Sequence, residues 1–212
     1  MVLVHQKRKT ISEKNLIRMG VPKRFISSTI MDFNTYGDER LGEVKVFIKN
    51  YIKELDKNIQ EGKGIMLFGS NGVGKSMLAS IILKESYIKR YVGKRCTYTE
   101  YLSEYARLWT AKSDEEKIVM EDAFIYYFKG ADILVLEELG KELDTKISIP
   151  ALEDLLRYRE EHGLCTIICT NLSPSNIQEV YGASIFSLLK GNLTPIKIVG
   201  TDHREEVYNS EK

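Results

Sequence analysis

The sequence predicts an α/β fold, a three-layer sandwich with a central parallel sheet, and three observations carry that prediction. The runs "GIMLFG" (64–69), "ADILVLEELG" (131–140) and "LCTIICTN" (164–171) are apolar rather than alternating, as in strands covered on both faces. Segments of helical periodicity lie between them, the pattern of a doubly wound sheet with right-handed crossovers. The glycine-rich octet "GSNGVGKS" joins the first of these strands directly to the helical run after it.

Taken in order, residues 1–39 are polar, basic and irregular, with Lys7, Arg8, Lys9, Lys14, Arg18, Lys23 and Arg24. "TISE", Thr10 to Glu13, reads as a capping box opening a short helix. Leu41, Val44, Phe47, Ile48, Tyr51, Ile52, Leu55 and Ile59 then recur at helical spacing as far as Gly62. After the octet, the spacing predicts a helix with Leu78, Ile81, Ile82 and Ile88 inward, ended by Gly93. "KRCTYT" reads as a short strand, and "EYLSEYARLW" and "DEEKIVMEDAFIYYF" as helices. "IPALEDLLRYREEHG" is a helix with Pro150 at its start and Gly163 at its end. "NIQEVYG" and "SIFSLLKG" read as two short helices, and "PIKIVG" as a last strand. The division that follows is a basic segment over 1–39 and one α/β domain over 40–212.

The chain has 212 residues, the size of one domain with a proper core. Hydrophobic residues make up 43%, which excludes an unfolded chain, and a net charge of +1 means that any nucleic-acid contact rests on a local patch. The first twenty residues hold no apolar core of signal-peptide length, and no run approaches a membrane span. Cys96, Cys165 and Cys169 lie among apolar residues without metal-site spacing, as buried thiols of a cytoplasmic protein do.

The octet has the pattern G-x-x-x-x-G-K-[ST], a phosphate-binding loop. Its glycines let the backbone N–H groups turn inward toward phosphate oxygens, and the helix that follows adds its positive end. The nucleotide-binding stretch is Gly69, Ser70, Asn71, Gly72, Val73, Gly74, Lys75, Ser76 and Met77. Lys75 reaches the outer phosphates of a nucleotide and the Ser76 hydroxyl joins the shell of its Mg²⁺. A strand ending in two acids beside such a loop can hold the ion with one carboxylate, Glu137, and polarise water with the next, Glu138. Asn171, at the tip of "IICTN", can aim its amide at that water and the γ-phosphate.

With these pieces the chain resembles the AAA+ ATPases of the DnaC/DnaI helicase-loader and IstB transposition-helper group. "MGVPKRFISSTIMDFN", "GIMLFGSNGVGKSMLA", "DILVLEELG", "LLRYREEHGLCTIICTNLSP", "EVYGASIFSLLKG" and "GTDHRE" carry the likeness, from about Gly20 to Arg204. The resemblance implies a P-loop NTPase fold. It makes Glu138 the base, Asn171 the first sensor and Arg204 the second-sensor arginine, and it brings Val21, Pro22 and Phe25 close to the adenine. It also implies an ATP-driven accessory of DNA replication that meets a replicative helicase and single-stranded DNA and forms ATP-dependent oligomers. Three residues depart from the group. Glu137 stands where Asp is usual. Leu188 stands where an arginine usually reaches the neighbouring subunit's nucleotide, with Ser184 at another often-basic place. Slow hydrolysis follows, unless Arg157, Arg159 or Lys190, or a partner's arginine, supplies the charge. The resemblance further turns Tyr98, Tyr101, Tyr105 and Trp109, set among cations, into candidates for stacking on bases. A transposition helper is the alternative within the group. A small-molecule P-loop kinase is the alternative outside it, against which stands the lack of an arginine-rich lid segment in the second half.

Overall fold

The computed structural model describes residues 12–142, 146–200 and 202. Five strands form one wholly parallel sheet: β1 (Gly64–Phe68), β2 (Gly93–Thr97), β3 (Ile133–Leu139), β4 (Cys165–Thr170) and β5 (Leu193–Lys197). Their spatial order is β2-β3-β4-β1-β5, so the most apolar runs take the middle and β2 and β5 the edges. Residues of alternate parity face opposite layers. Ile65, Leu67, Ile133, Val135 and Ile167 join one apolar cluster, and Met66, Leu134, Leu136 and Ile168 join the other.

The first cluster is covered by α2 (Glu39–Lys53), α3 (Leu55–Gln60) and α4 (Lys75–Ile88), through Ile48, Leu55, Leu78 and Ile82. Leu16, Val21 and Phe33, from the chain before α2, belong to the same cluster. The second is covered by α5 (Tyr98–Arg107), α7 (Ser148–Glu161) and α8 (Pro174–Asn192), through Tyr98, Leu152, Leu155 and Ile185. Two further α-helices, α1 (Glu13–Arg18) and α6 (Asp114–Phe124), complete the α-helices among the described residues. Burial pushes the Cys96 thiol up to about 12 and raises Cys165 and Cys169 as well, which makes them unreactive packing groups.

Several elements differ from the sequence reading. The long helix predicted over 41–59 breaks at Glu54, whose ψ of 17° turns the chain, yet the apolar stripe runs on through Leu55 and Ile59. The two short helices predicted after β4 are both present, joined within α8 at Gly182, whose φ of 84° and ψ of 173° are not helical. Ile88 is half exposed, because it is the last residue of α4. Pro150 is the third residue of α7 rather than the first. Ser12 precedes α1 without a side-chain cap, and Thr10 of the predicted capping box lies outside the described residues.

Arg159 is the largest correction. It is 1% exposed, and its guanidinium donates to Thr166 Oγ1 (2.8 Å), the carbonyls of Lys129 (2.6 Å) and Ala131 (3.0 Å), and that of Cys165 (2.5 Å). Burial lowers its pKa to about 10, so it stays charged at neutral pH. A guanidinium committed inside the fold cannot reach a neighbouring subunit. Tyr98 and Tyr101 are likewise fully buried, so they pack the core and do not meet bases.

Candidate nucleotide site

In a parallel sheet all C-terminal strand tips lie along one edge, where ligands of α/β folds bind. Pairing sets Phe68 beside Thr170, and Cys169 beside Glu137, so the loop after β1 and the tips of β4 and β3 are neighbours. Gly74 caps α4 at φ +101°, a conformation that side chains resist, and the Phe33 ring lies 2.9 Å from where its Cβ would stand. The loop turns there and α4 begins at Lys75.

Lys75 Nζ donates to the loop carbonyls of Gly69 (2.8 Å) and Ser70 (2.5 Å) and to Asn171 Oδ1 (2.8 Å). The other end of the same amide, Asn171 Nδ2, donates to Asn71 Oδ1 (2.9 Å). Asn171 therefore joins the β4 tip to both the start and the end of the loop. Ser76 Oγ donates to Glu137 Oε2 (2.5 Å), which joins the loop to the β3 tip.

The two acids separate in role through a bulge. The β3–β4 register shifts between Glu137 and Leu139, and Glu138 takes φ +61°. Left-handed backbone at a non-glycine residue is strained and clusters at functional sites. The bulge re-aims one carboxylate relative to the other. Glu137 stays buried at 3% exposure, while Glu138 faces solvent in an ion pair with Lys141 (3.2 Å).

Arg95 was not foreseen. From β2, its Nε pairs with Glu137 Oε1 (3.0 Å) and its Nη1 donates to the Gly20 carbonyl (3.1 Å). Only the placement of β2 beside β3 brings it there, and strand order is not written in local sequence.

The cleft along this edge has a volume of about 550 Å³, within the usual range for small-molecule sites. The loop and the acid pair form one side; Arg24 and Phe25 line another, with the Arg24 guanidinium 4.7 Å from the Phe25 ring centre. Val21 is buried beneath, and Pro22 leads into the short turn that carries Phe25. The donors that face each other at Ser76 and Glu137 are oxygens, which suits Mg²⁺, an ion that keeps waters and phosphate oxygens for the rest of its shell. Among the described residues no group of three or more His, Cys, Asp or Glu could hold a metal ion by itself.

Other predicted positions lie elsewhere. Arg204 is outside the described residues, as are Lys7, Arg8 and Lys9. Leu188 is half-buried against the second apolar cluster. Arg157 pairs with Glu153 (2.7 Å) and Ser184 Oγ (3.2 Å), and Lys190 is exposed. Lys14, Arg18, Lys23 and Arg24 are exposed on the N-terminal segment, as is Trp109 after α5, while Tyr105 is half-buried. No described helix is long and apolar enough to cross a membrane.

Comparison with solved structures decides the fold. The crystal structure of the DnaC helicase loader superposes with a TM-score of 0.71 over 84% of this chain and 100% of that chain, at 22% identity. The chain has the fold of that structure, the AAA+ fold. The same AAA+ core extends to a replication initiator DnaA bound to AMPPCP and single-stranded DNA, with a TM-score of 0.65, 14% identity, and 90% of this chain against 55% of that one. In sequence the chain is 23% identical to the replicative helicase loader DnaI of Bacillus subtilis over 202 residues, 88% of this chain. It spans 61% of the length of that relative. No protein-family model matches the chain.

Proposed function

We propose that the chain binds ATP with Mg²⁺ in this cleft, hydrolyses it slowly, and serves DNA replication as a helicase-loader-type accessory. One observation carries the reading: Lys75, Asn171, Ser76 and Glu137 join the loop to the tips of β3 and β4 in a single hydrogen-bonded set.

The chain's own residues supply most of the chemistry. Lys75 exchanges its bonds to Gly69 and Ser70 for phosphate oxygens, and Asn171 stays beside it to hold the water or the γ-phosphate in line. Glu138, turned outward by the bulge, accepts the proton of that water. Ser76 and Glu137 would hold the Mg²⁺, which would supply positive charge beside the phosphates. Arg95 fixes the Glu137 carboxylate, so the longer side chain at this position has a defined direction.

Leu188 supports slow turnover, because a half-buried leucine offers no charge to a neighbour's γ-phosphate. The loader role rests on the likeness to DnaI and DnaC, and single-stranded DNA enters through the exposed cations of the N-terminal segment. Assembly into an ATP-dependent oligomer belongs to the same reading. The test is to mix the purified chain with a purified replicative helicase and ask for co-elution. The account expects co-elution with ATP, less with ADP, and none for Lys75→Ala. Absence of co-elution in every nucleotide state sinks the loader role.

A further inference from the structure

The segment 22–33 borders the cleft at Arg24 and Phe25 and forms a strap of two short turns, Lys23–Phe25 and Ile30–Asp32. It carries Arg24 and Phe25 into the cleft wall and ends on Phe33, buried against Gly74 of the phosphate loop. Apart from Phe33, its side chains are exposed or only half-buried, so packing alone fixes it weakly.

Two ammonium groups fasten it instead. Lys84 is 7% exposed on α4, the helix that begins at Lys75, and its Nζ donates to the carbonyls of Ile26 (2.8 Å) and Ser28. Lys45, on α2, donates to the carbonyls of Met31 (3.1 Å) and Phe33 (2.6 Å). Four strap carbonyls are thus held by two side chains that carry only donors. Asp32 closes the second turn on Thr29 (2.7 Å to the amide, 2.8 Å to the hydroxyl), and its carboxyl is held low by those bonds first and by Lys84 and Lys45 after them. A buried lysine resists its own charge, and burial does lower the Lys84 pKa. A residue of that kind is costly for simple packing, where leucine or methionine would serve.

We propose that Lys84 and Lys45 are positioning residues that hold the 22–33 strap as the base-side wall of the cleft. The inference rests on the nucleotide reading above. Phosphates belong at the loop, so the flat surface left for the base is the Phe25 ring with its Arg24 neighbour. Because Lys84 and Lys75 share α4, one rigid helix sets the distance between the phosphate end and the base end of the site.

The test compares two probes, ADP and inorganic triphosphate, both with Mg²⁺, on the wild type, Lys84→Met and Lys45→Met. Loosening the wall weakens ADP about tenfold in Lys84→Met, and by less in Lys45→Met, on the scale of a lost base–aromatic stack. Triphosphate, which has no base, keeps its affinity. Equal loss of both probes means that the lysines merely stabilise the fold, and unchanged ADP affinity means that the strap is not the base wall. Either result overturns the proposal. If Lys84→Met fails to fold, Lys45→Met decides by the same comparison, since Lys45 is only partly buried. A wild type that binds neither probe overturns the nucleotide reading, and this inference with it.

Discussion

Replacing Arg159 with alanine should lower stability and leave nucleotide binding intact. The guanidinium is the donor for three carbonyls, the buried ones of Ala131 and Cys165 and the partly buried one of Lys129, and for the Thr166 hydroxyl. Alanine leaves the carbonyls without it. Each unmade bond of this kind costs about 1–3 kcal/mol, and no charge is left unpaired, because the acceptors are neutral. Two facts favour the low end. Burial already works against the arginine, as its lowered pKa of about 10 shows. The site also borders a hollow of about 90 Å³ between Gly163, Thr166 and Leu188, from which water can reach the orphaned carbonyls. The expected loss is about 3 kcal/mol, which in a domain of this size lowers the melting temperature by about 6–12 °C. Circular-dichroism melting gives that number, and titration with a fluorescent ADP analogue well below the transition should give wild-type affinity. A variant that melts within about 2 °C of wild type yet loses ATP turnover would refute the argument. Arg159 would then be serving a neighbour's nucleotide, and the buried bonds would be incidental.

Glu138→Gln should keep ATP binding and stop hydrolysis, since the amide fills the same space without accepting a proton; turnover at the wild-type rate removes Glu138 as the base. Glu138→Gly should be equally inactive but melt no lower than Glu138→Gln, because glycine accepts φ +61° without strain. Leu188→Arg should raise ATP turnover per subunit as protein concentration rises, because the new charge acts across a subunit interface, and its stem can lie along the apolar surface that Leu188 now covers. A wild type that is already fast, with a rate climbing steeply with concentration, would show that the missing arginine is not what limits it.

The sheet was legible because β1, β3 and β4 are buried on both faces and so carry unbroken apolar runs. The loop was legible because phosphate binding demands glycine and lysine at fixed spacing within one short segment. What escaped depends on contacts between distant parts of the chain. Arg95 meets Glu137 only because β2 pairs with β3, and Lys84 meets the strap only because α4 lies beneath it. Arg159 in "LLRYREEHG" has the local sequence of a solvated helix face, yet it falls at the buried position where α7 crosses the start of β4. Tyr98 and Tyr101, which only the resemblance turns into candidates for base stacking, lie in the core cluster with Leu134, Leu136 and Phe124. Glu54 bends a helix whose apolar periodicity continues across the break, so the pattern alone could not show that turn, whereas the break at Gly182 falls where the sequence places the end of one helix and the start of the next.

The central claim is that the loop at 69–77 holds ATP through Lys75. The direct measurement is equilibrium titration of a fluorescent ATP analogue against wild type and Lys75→Ala, each with Mg²⁺ and with chelator. Lys75 is the first residue of α4, half-buried at the cleft, and its bonds run to the loop and to Asn171, so the alanine variant should melt close to wild type. The account predicts saturable binding to wild type, weakened when Mg²⁺ is removed, and binding to Lys75→Ala reduced by at least about a hundredfold, as befits a lost charge-assisted contact to phosphate of about 3 kcal/mol. Wild-type affinity in a folded Lys75→Ala protein would contradict it.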